Sequence, residues 1–303
     1  MTRRVGAVDI GTNSTRLLVA DVSDEGGIAE AERLLEITRL GDRVDAEGRL
    51  SDEAIARVDA VLERYAARAA ELEAEGVLAV ATSAVRDAAN GRAFLDDTVA
   101  RHGFEVRLLT GEEEADMTYR GVCSREAVAE SALICDIGGG STELILGGRD
   151  GVTDRASLDI GCVRMSERHL HDDPPTPAQL DSLRAEADAA LPRRLTGAAR
   201  GLVGVAGTVT TLATIDMGLE VELPEVIDGH RLAAETVERL LVELAVLPIE
   251  QRRLVRGLMP QRAPTIVAGA VILSAIARAT GADAVTVSER DILHGAALAA
   301  AGL

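Results

Sequence analysis

Two stretches of the chain have the residue types to handle an anion, and they are nearly the same stretch. VDIGTNSTRLLVAD ends at Asp21 and CDIGGGSTELILGG ends at Gly148. Shifted by 127 positions, Asp9 meets Asp136, Ile10 meets Ile137, Gly11 meets Gly138, Ser14 meets Ser141, Thr15 meets Thr142 and Leu17 meets Leu144. An Asp-Ile-Gly-x-x-Ser-Thr segment flanked by apolar runs predicts a tight turn between two strands that presents backbone N–H groups and a hydroxyl. Its glycines allow φ > 0 and close approach, which together make an anion-binding concavity. Two such turns can hold a chain of phosphates. A bare carboxylate would repel phosphate, so Asp9 and Asp136 make sense with a divalent cation between carboxylate and phosphate oxygens.

The elements that must position these turns alternate between strand and helix signals. RVGAVDI and TRLLVAD read as paired strands, with IAEAERLLEITRLG as further sheet. Ser51 is placed to cap a helix with Asp52 and Glu53 in its first turn and Ile55, Val58, Val61, Leu62, Tyr65, Ala69 and Leu72 on its apolar face, ending at Gly76. VLAVAT reads as a buried strand, AANGRAFLDDTVARHG as a helix and FEVRLLTG as a strand. The second half repeats the scheme: ALICDIG and TELILGG pair, VTDRASLDIG continues the sheet, and a helix starts at Pro177. GLVGVAG then opens into the helix TVTTLATI. Residues 232–247 and 264–280 read as apolar helices, and AVTVS leads into a last helix, RDILHGAALAA.

Composition removes several classes of function. The 32 basic residues are all Arg, so a Walker A loop and Schiff-base catalysis both lack their lysine. With net charge −18, no Trp and 1 % aromatic residues, nucleic-acid binding lacks its electrostatic footprint and its stacking side chains. No apolar run approaches the roughly 20 residues of a membrane span, and the N-terminus lacks a signal-peptide pattern. A cytosolic protein is expected, with Cys123, Cys135 and Cys162 as reduced thiols.

VDIGTNSTRLLVAD, ATSAVRDAAN, TGEEEA, DIGGGSTEL, GVAGTVTTLA and SERDILHGAAL, in this order and at these spacings, resemble the exopolyphosphatase and guanosine pentaphosphate phosphohydrolase family. That family belongs to the sugar kinase, heat-shock cognate and actin superfamily, and the resemblance covers essentially the whole chain. It implies an α/β fold of two ribonuclease-H-like domains with the active site in the interdomain cleft. The expected domains are 1–122, with the first turn, and 123–303, with the second; the boundary falls near Gly121 to Ala132, and the last helix is free to pack back on the first domain.

The resemblance also implies roles. Glu114, directly before the alanine of GEEEA, is the catalytic base, while Glu112 and Glu113 read as a solvated acidic first turn. Gly138, Gly139, Gly140 and Ser141 bind the scissile phosphate, and Asp136 and Glu143 hold Mg²⁺ or its water. In the first turn, Gly11, Thr12, Asn13 and Ser14 face phosphate, and Arg16 stands where the second has Glu143. That divergence suits one turn carrying metal and the other clamping phosphate directly. Arg86 occupies a phosphate-clamping position. Gly207 and Thr208 meet distal phosphates at a helix N-terminus, itself an anion site. Arg252, Arg253 and Arg256 are expected on a solvated helix face, and His169 and His171 are assigned no metal.

The implied activity is Mg²⁺-dependent removal of terminal orthophosphate from inorganic polyphosphate by in-line attack of water. Longer relatives carry a further helical domain resembling the HD phosphohydrolases, so shorter polyphosphate is the expected preference. Hydrolysis of guanosine pentaphosphate to tetraphosphate would use the same site. A small-molecule kinase and a catalytically silent polyphosphate or alarmone sensor are the readings from other classes. A homodimer is expected by analogy.

Overall fold

The computed structural model describes residues 1–125 and 131–303; part of the expected boundary at Gly121 to Ala132 thus lies outside the described residues. The chain forms two compact units, Met1–Ala127 with Arg290–Leu303, and Val128–Glu289.

In the first unit, β1 (Thr2–Ile10), β2 (Thr15–Ser23) and β3 (Ile28–Glu36) form an antiparallel meander. β4 (Val77–Ala81) and β5 (Glu105–Leu108) add in parallel, giving the order β3-β2-β1-β4-β5. Side chains alternate across a strand, so every second residue shares a face. Val8, Ile10, Leu17 and Val19 pack under the helices Asp52–Glu71 and Gly91–His102. Val5, Ala7, Leu18, Ala20 and Val22 pack on the other face, against Met117 of the helix Gly111–Val122 and Leu293 and Ala297 of the helix Ile292–Ala300. The same parity puts Asp9 and Arg16 on this second face.

Those two helices cross at glycines. A Cβ at Gly295 would stand 2.0 Å from the Met117 carbonyl oxygen, and one at Gly121 would stand 1.8 Å from that of Asp291. Backbone cannot rotate away as a side chain can, so the crossing tolerates no methyl group. Gly295→Ala is therefore expected to cost about 3 kcal/mol, the upper end for overpacking. That corresponds to a fall in thermal midpoint of roughly 6–12 °C, measurable by circular dichroism, and an unchanged midpoint would refute the close crossing.

The second unit repeats the topology. β6 (Ala132–Ile137), β7 (Thr142–Gly148) and β8 (Gly151–Leu158) form the meander, and β9 (Gly201–Val205) and β11 (Ala284–Val287) add in parallel. β10 (Arg231–Ala233) closes the edge antiparallel to β11, in the order β10-β11-β9-β6-β7-β8. The helix Ile266–Thr280 is buried along Ile266 to Ala277 and forms the spine of this unit's core.

Several local expectations are corrected. The Ser51-capped helix ends at Glu71, and Glu73 rather than Gly76 takes the left-handed conformation at φ 59°. Residues 232–247 are not one helix: Leu232 belongs to β10, and the helix runs Ala234–Ala245. Arg252 is not on a solvated face. It is 2 % exposed, and its guanidinium donates to the carbonyls of Leu244 (2.9 Å), Leu247 (2.7 Å) and Ala263 (2.8 Å). A cation there meets the carbonyls at the negative, C-terminal end of the preceding helix. Arg253 and Arg256 are exposed and pair with Glu250 and Glu220.

Candidate active site

Both predicted turns form, between β1 and β2 and between β6 and β7. Each is closed by the same backbone hydrogen bond, from Gly11 N to Ser14 O and from Gly138 N to Ser141 O, at 3.0 Å in both. Gly11, Gly138, Gly139 and Gly140 do not adopt positive φ, so the expected left-handed conformation is corrected. The turns need close approach instead. In the first, the Thr12 and Asn13 carbonyls accept from Gly41 N (2.8 Å) and Arg39 N (2.9 Å). In the second, the N-terminal amides of the helix Cys162–His169 donate to Gly138 O and Gly139 O, and Arg164 Nε donates to Gly140 O at 2.7 Å. Carbonyls are thus consumed on the protein side. Among the described residues, the amides of Thr12, Asn13 and Ser14, and of Gly139, Gly140 and Ser141, donate to no protein group. Two sets of unengaged N–H groups are the chemistry an anion requires.

The residues leading out of the turns differ between the units. Asp136 and Glu143 are directly opposite on β6 and β7, and both are buried. Directly opposed cross-strand residues hold their Cβ atoms about 5 Å apart, where two like charges repel. Glu143 also accepts from Ser157 Oγ at 2.7 Å. Two hard oxygen donors at that spacing suit Mg²⁺, which is commonly bound by one or two carboxylates together with phosphate oxygens and water. No group of three metal-ligating side chains occurs among the described residues. The donor pair therefore fits a metal that substrate helps to hold.

In the first unit the corresponding pair is Asp9 and Arg16, again directly opposite. Arg16 Nη2 and Nε lie 2.8 and 3.0 Å from Asp9 Oδ2, and Nη1 is bonded to Asp291. In this structure the Arg16 guanidinium is engaged by two buried carboxylates. Burial pushes the Asp9 carboxyl upward, opposed by Arg16, whereas at Asp291 the Arg16 charge outweighs burial and holds the carboxyl well below the carboxylate range.

Glu114 is set apart from its neighbours by the helix it stands on. Thr110 caps the helix Gly111–Val122, accepting from Glu113 N, while the Glu113 carboxylate accepts from Thr110 N at 2.8 Å. This capping box gives Glu113 a structural task. Glu112 is exposed and Glu114 turns inward, 8 % exposed. Arg86, from the short helix Ser83–Asp87 that follows β4, donates to Glu114 Oε2 at 3.2 Å and to the Leu109 carbonyl at 2.8 Å. Ser83 of that helix is hydrogen-bonded to Thr12 of the first turn at 3.0 Å. The first unit thus brings Thr12, Arg86 and Glu114 into one framework.

Gly207 and Thr208 open the helix Ala206–Asp216 after β9. Ala206 sits there at φ 67°, a left-handed conformation costly for a residue with a Cβ. The buried Arg262 guanidinium donates to Gly207 O and Thr211 Oγ1, both at 2.7 Å, and a Cβ at Gly207 would come within 2.5 Å of it. Arg164, Arg262 and Asp291 were not singled out by sequence reasoning. Arg164 follows β8 in GCVRMSERH, and a strand-turn-helix reading there could have found it; Arg262 lies in a Pro-flanked stretch without periodicity. His169 bonds Glu186 at 2.7 Å.

A duplicated mixed sheet with a glycine turn between its first two strands defines an actin-like α/β fold. The chain belongs to the Ppx/GppA phosphatase family, whose model matches residues 18–301. It is 38 % identical over 316 residues to Exopolyphosphatase 2 of Mycobacterium tuberculosis, covering 99 % of each chain. It is 30 % identical to the guanosine-5′-triphosphate,3′-diphosphate pyrophosphatase of Vibrio atlanticus, covering 96 % of this chain and 58 % of that protein. Among solved structures, an exopolyphosphatase-like protein superposes with a TM-score of 0.90 at 35 % identity, over 97 % of this chain and 98 % of that one.

Proposed function

We propose that this chain is an exopolyphosphatase that removes terminal orthophosphate from inorganic polyphosphate, with shorter chains preferred. The observation that carries the reading is Glu114, the inward-facing member of the Glu112 to Glu114 run, mounted on a capped helix beside Arg86. A general base must sit within one water of the atom it serves and must not drift, and a capped, buried helix start meets that requirement. Glu114 orients the attacking water and takes its proton. Arg86 meets charge that develops on phosphoryl oxygens, and the amides of Gly139, Gly140 and Ser141 are the second unit's donors to phosphate. The amides of the first turn and the start of the Ala206–Asp216 helix, with Gly207 and Thr208, meet phosphates further along the chain.

Asp136 and Glu143 would hold Mg²⁺, which when bound neutralises phosphoryl charge. A cytoplasmic homodimer belongs to the same proposal. Supporting a cytoplasmic setting, Cys123, Cys135 and Cys162 are free thiols, and no helix among the described residues is long and apolar enough to cross a membrane. Guanosine pentaphosphate is the second substrate reading, favoured by the relative from Vibrio atlanticus.

The test is orthophosphate release with Mg²⁺ from short polyphosphate, long polyphosphate and guanosine pentaphosphate. Release from polyphosphate, fastest on short chains and not inhibited by guanine nucleotides, is the expected result. Preferential release from guanosine pentaphosphate would transfer the assignment to the nucleotide, and binding without turnover would revive the sensor.

A further inference from the structure

A chain of charged and polar side chains crosses the first unit. It runs from Asp9 to Arg16, from Arg16 to Asp291, through His294 at the start of the Ile292–Ala300 helix, and out to Glu30 on β3. His294 is 0 % exposed. Its Nε2 lies 2.9 Å from Glu30 Oε1, and its Nδ1 lies 3.3 Å from Asp291 N. Asp291 caps the helix by accepting from Leu293 N at 3.0 Å, and its second oxygen takes Arg16.

Asp291 stands at a junction. Its carboxylate grips the arginine that neutralises Asp9 at the head of the first glycine turn. Its carbonyl lies against Gly121, on the helix that carries Glu114, at a distance no Cβ could tolerate. Comparison of the two repeats shows what Arg16 does. In the second turn the residue opposite the leading aspartate is an acid, Glu143; in the first it is a base, Arg16, so the cation is built into the pair. A guanidinium between two carboxylates is orientationally fixed, because each acceptor takes different N–H groups.

We propose that Asp291 is a positioning residue for catalysis, fixing Arg16 so that Asp9 stays neutralised at the first phosphate turn and locking that turn to the helix bearing Glu114. With Asp291 neutralised, Arg16 keeps its Nε and Nη2 bonds to Asp9 but loses the second carboxylate that fixes its orientation, and Asp9 is less firmly matched when the polyanion arrives. The predicted loss is in substrate affinity, since Glu114 and Arg86 do not depend on the Asp291 charge.

The inference rests on the exopolyphosphatase reading, so two readouts are combined. Asp291→Asn and Asp291→Ser both preserve a side-chain acceptor for the helix cap and remove the charge. Steady-state phosphate release is measured for each, and tripolyphosphate affinity is measured by calorimetry with each change placed in a Glu114→Gln background, where turnover is blocked. A KM and Kd raised about 10-fold in both variants, with kcat within about threefold of the parent, supports the proposal. Unchanged KM and Kd with only a lower thermal midpoint overturns it, leaving Asp291 as a helix cap. A parent that binds tripolyphosphate without hydrolysing it, with binding weakened in both variants, refutes the hydrolase reading and keeps the positioning role.

Discussion

Glu114→Gln lowers kcat for phosphate release from polyphosphate by about 100-fold or more, the scale of losing a general base, while thermal unfolding changes by no more than a few degrees. The substitution is nearly isosteric, and the amide oxygen still accepts from Arg86, which the carboxylate now meets at 3.2 Å. The capping box that holds the helix start uses Thr110 and Glu113 and is left intact. Any large effect is therefore chemical: the amide cannot take a proton from water. KM is expected to stay within a few-fold, because uniform binding by the turn amides is untouched. Glu112→Gln and Glu113→Gln are the internal comparison, with little effect on kcat. Glu114→Gln retaining more than a tenth of parental kcat would remove Glu114 from the role of base and with it the main support for hydrolysis.

Asp136→Asn and Glu143→Gln are expected to separate activity from stability in opposite directions. Each removes one of two donors proposed for Mg²⁺, and loss of even an outer-shell partner weakens a metal by about 10- to 100-fold. The Mg²⁺ concentration for half-maximal activity should thus rise by about 100-fold, and activity at about 1 mM Mg²⁺ should fall in proportion. In the absence of metal the same substitutions relieve repulsion between buried carboxylates directly opposite on β6 and β7, a pairing that costs up to about 1 kcal/mol. The metal-free variants should therefore unfold at the same temperature as the parent or higher. Unchanged Mg²⁺ dependence with a lowered midpoint would show that the pair is structural.

Much of this arrangement was legible from residue order. The aligned turns, the acidic first helical turn of GEEEA and the alternation along β1 and β2 are local properties, set by helix-dipole preference and by period-two exposure of side chains. From them follow both strand meanders, the position of Glu114 at a helix start, and the placement of Asp9 and Arg16 on one face. The family resemblance added roles to those positions. Local order misjudged features set by packing against distant segments: where the Asp52–Glu71 helix ends, and the split of residues 232–247 into an edge strand and a helix. It also misjudged Arg252, read as solvated because three arginines in RRLVRG suggest a charged face, yet buried as the cap of the preceding helix.

By itself the sequence determined that one turn is used twice, that its leading residue is acidic both times, and that the partner position is basic in one copy and acidic in the other. Tertiary structure alone decided what those charges do. Arg16 and Asp291 are 275 residues apart in the chain and bonded in the fold, so no local pattern could show that the arginine is already engaged. Three consecutive glutamates look alike in the sequence, and only the angle at which their helix packs turns Glu114 inward while Glu113 closes the cap. Charge type is a property of the residue, but whether a charge meets substrate, metal or another side chain depends on which long-range contacts bury it.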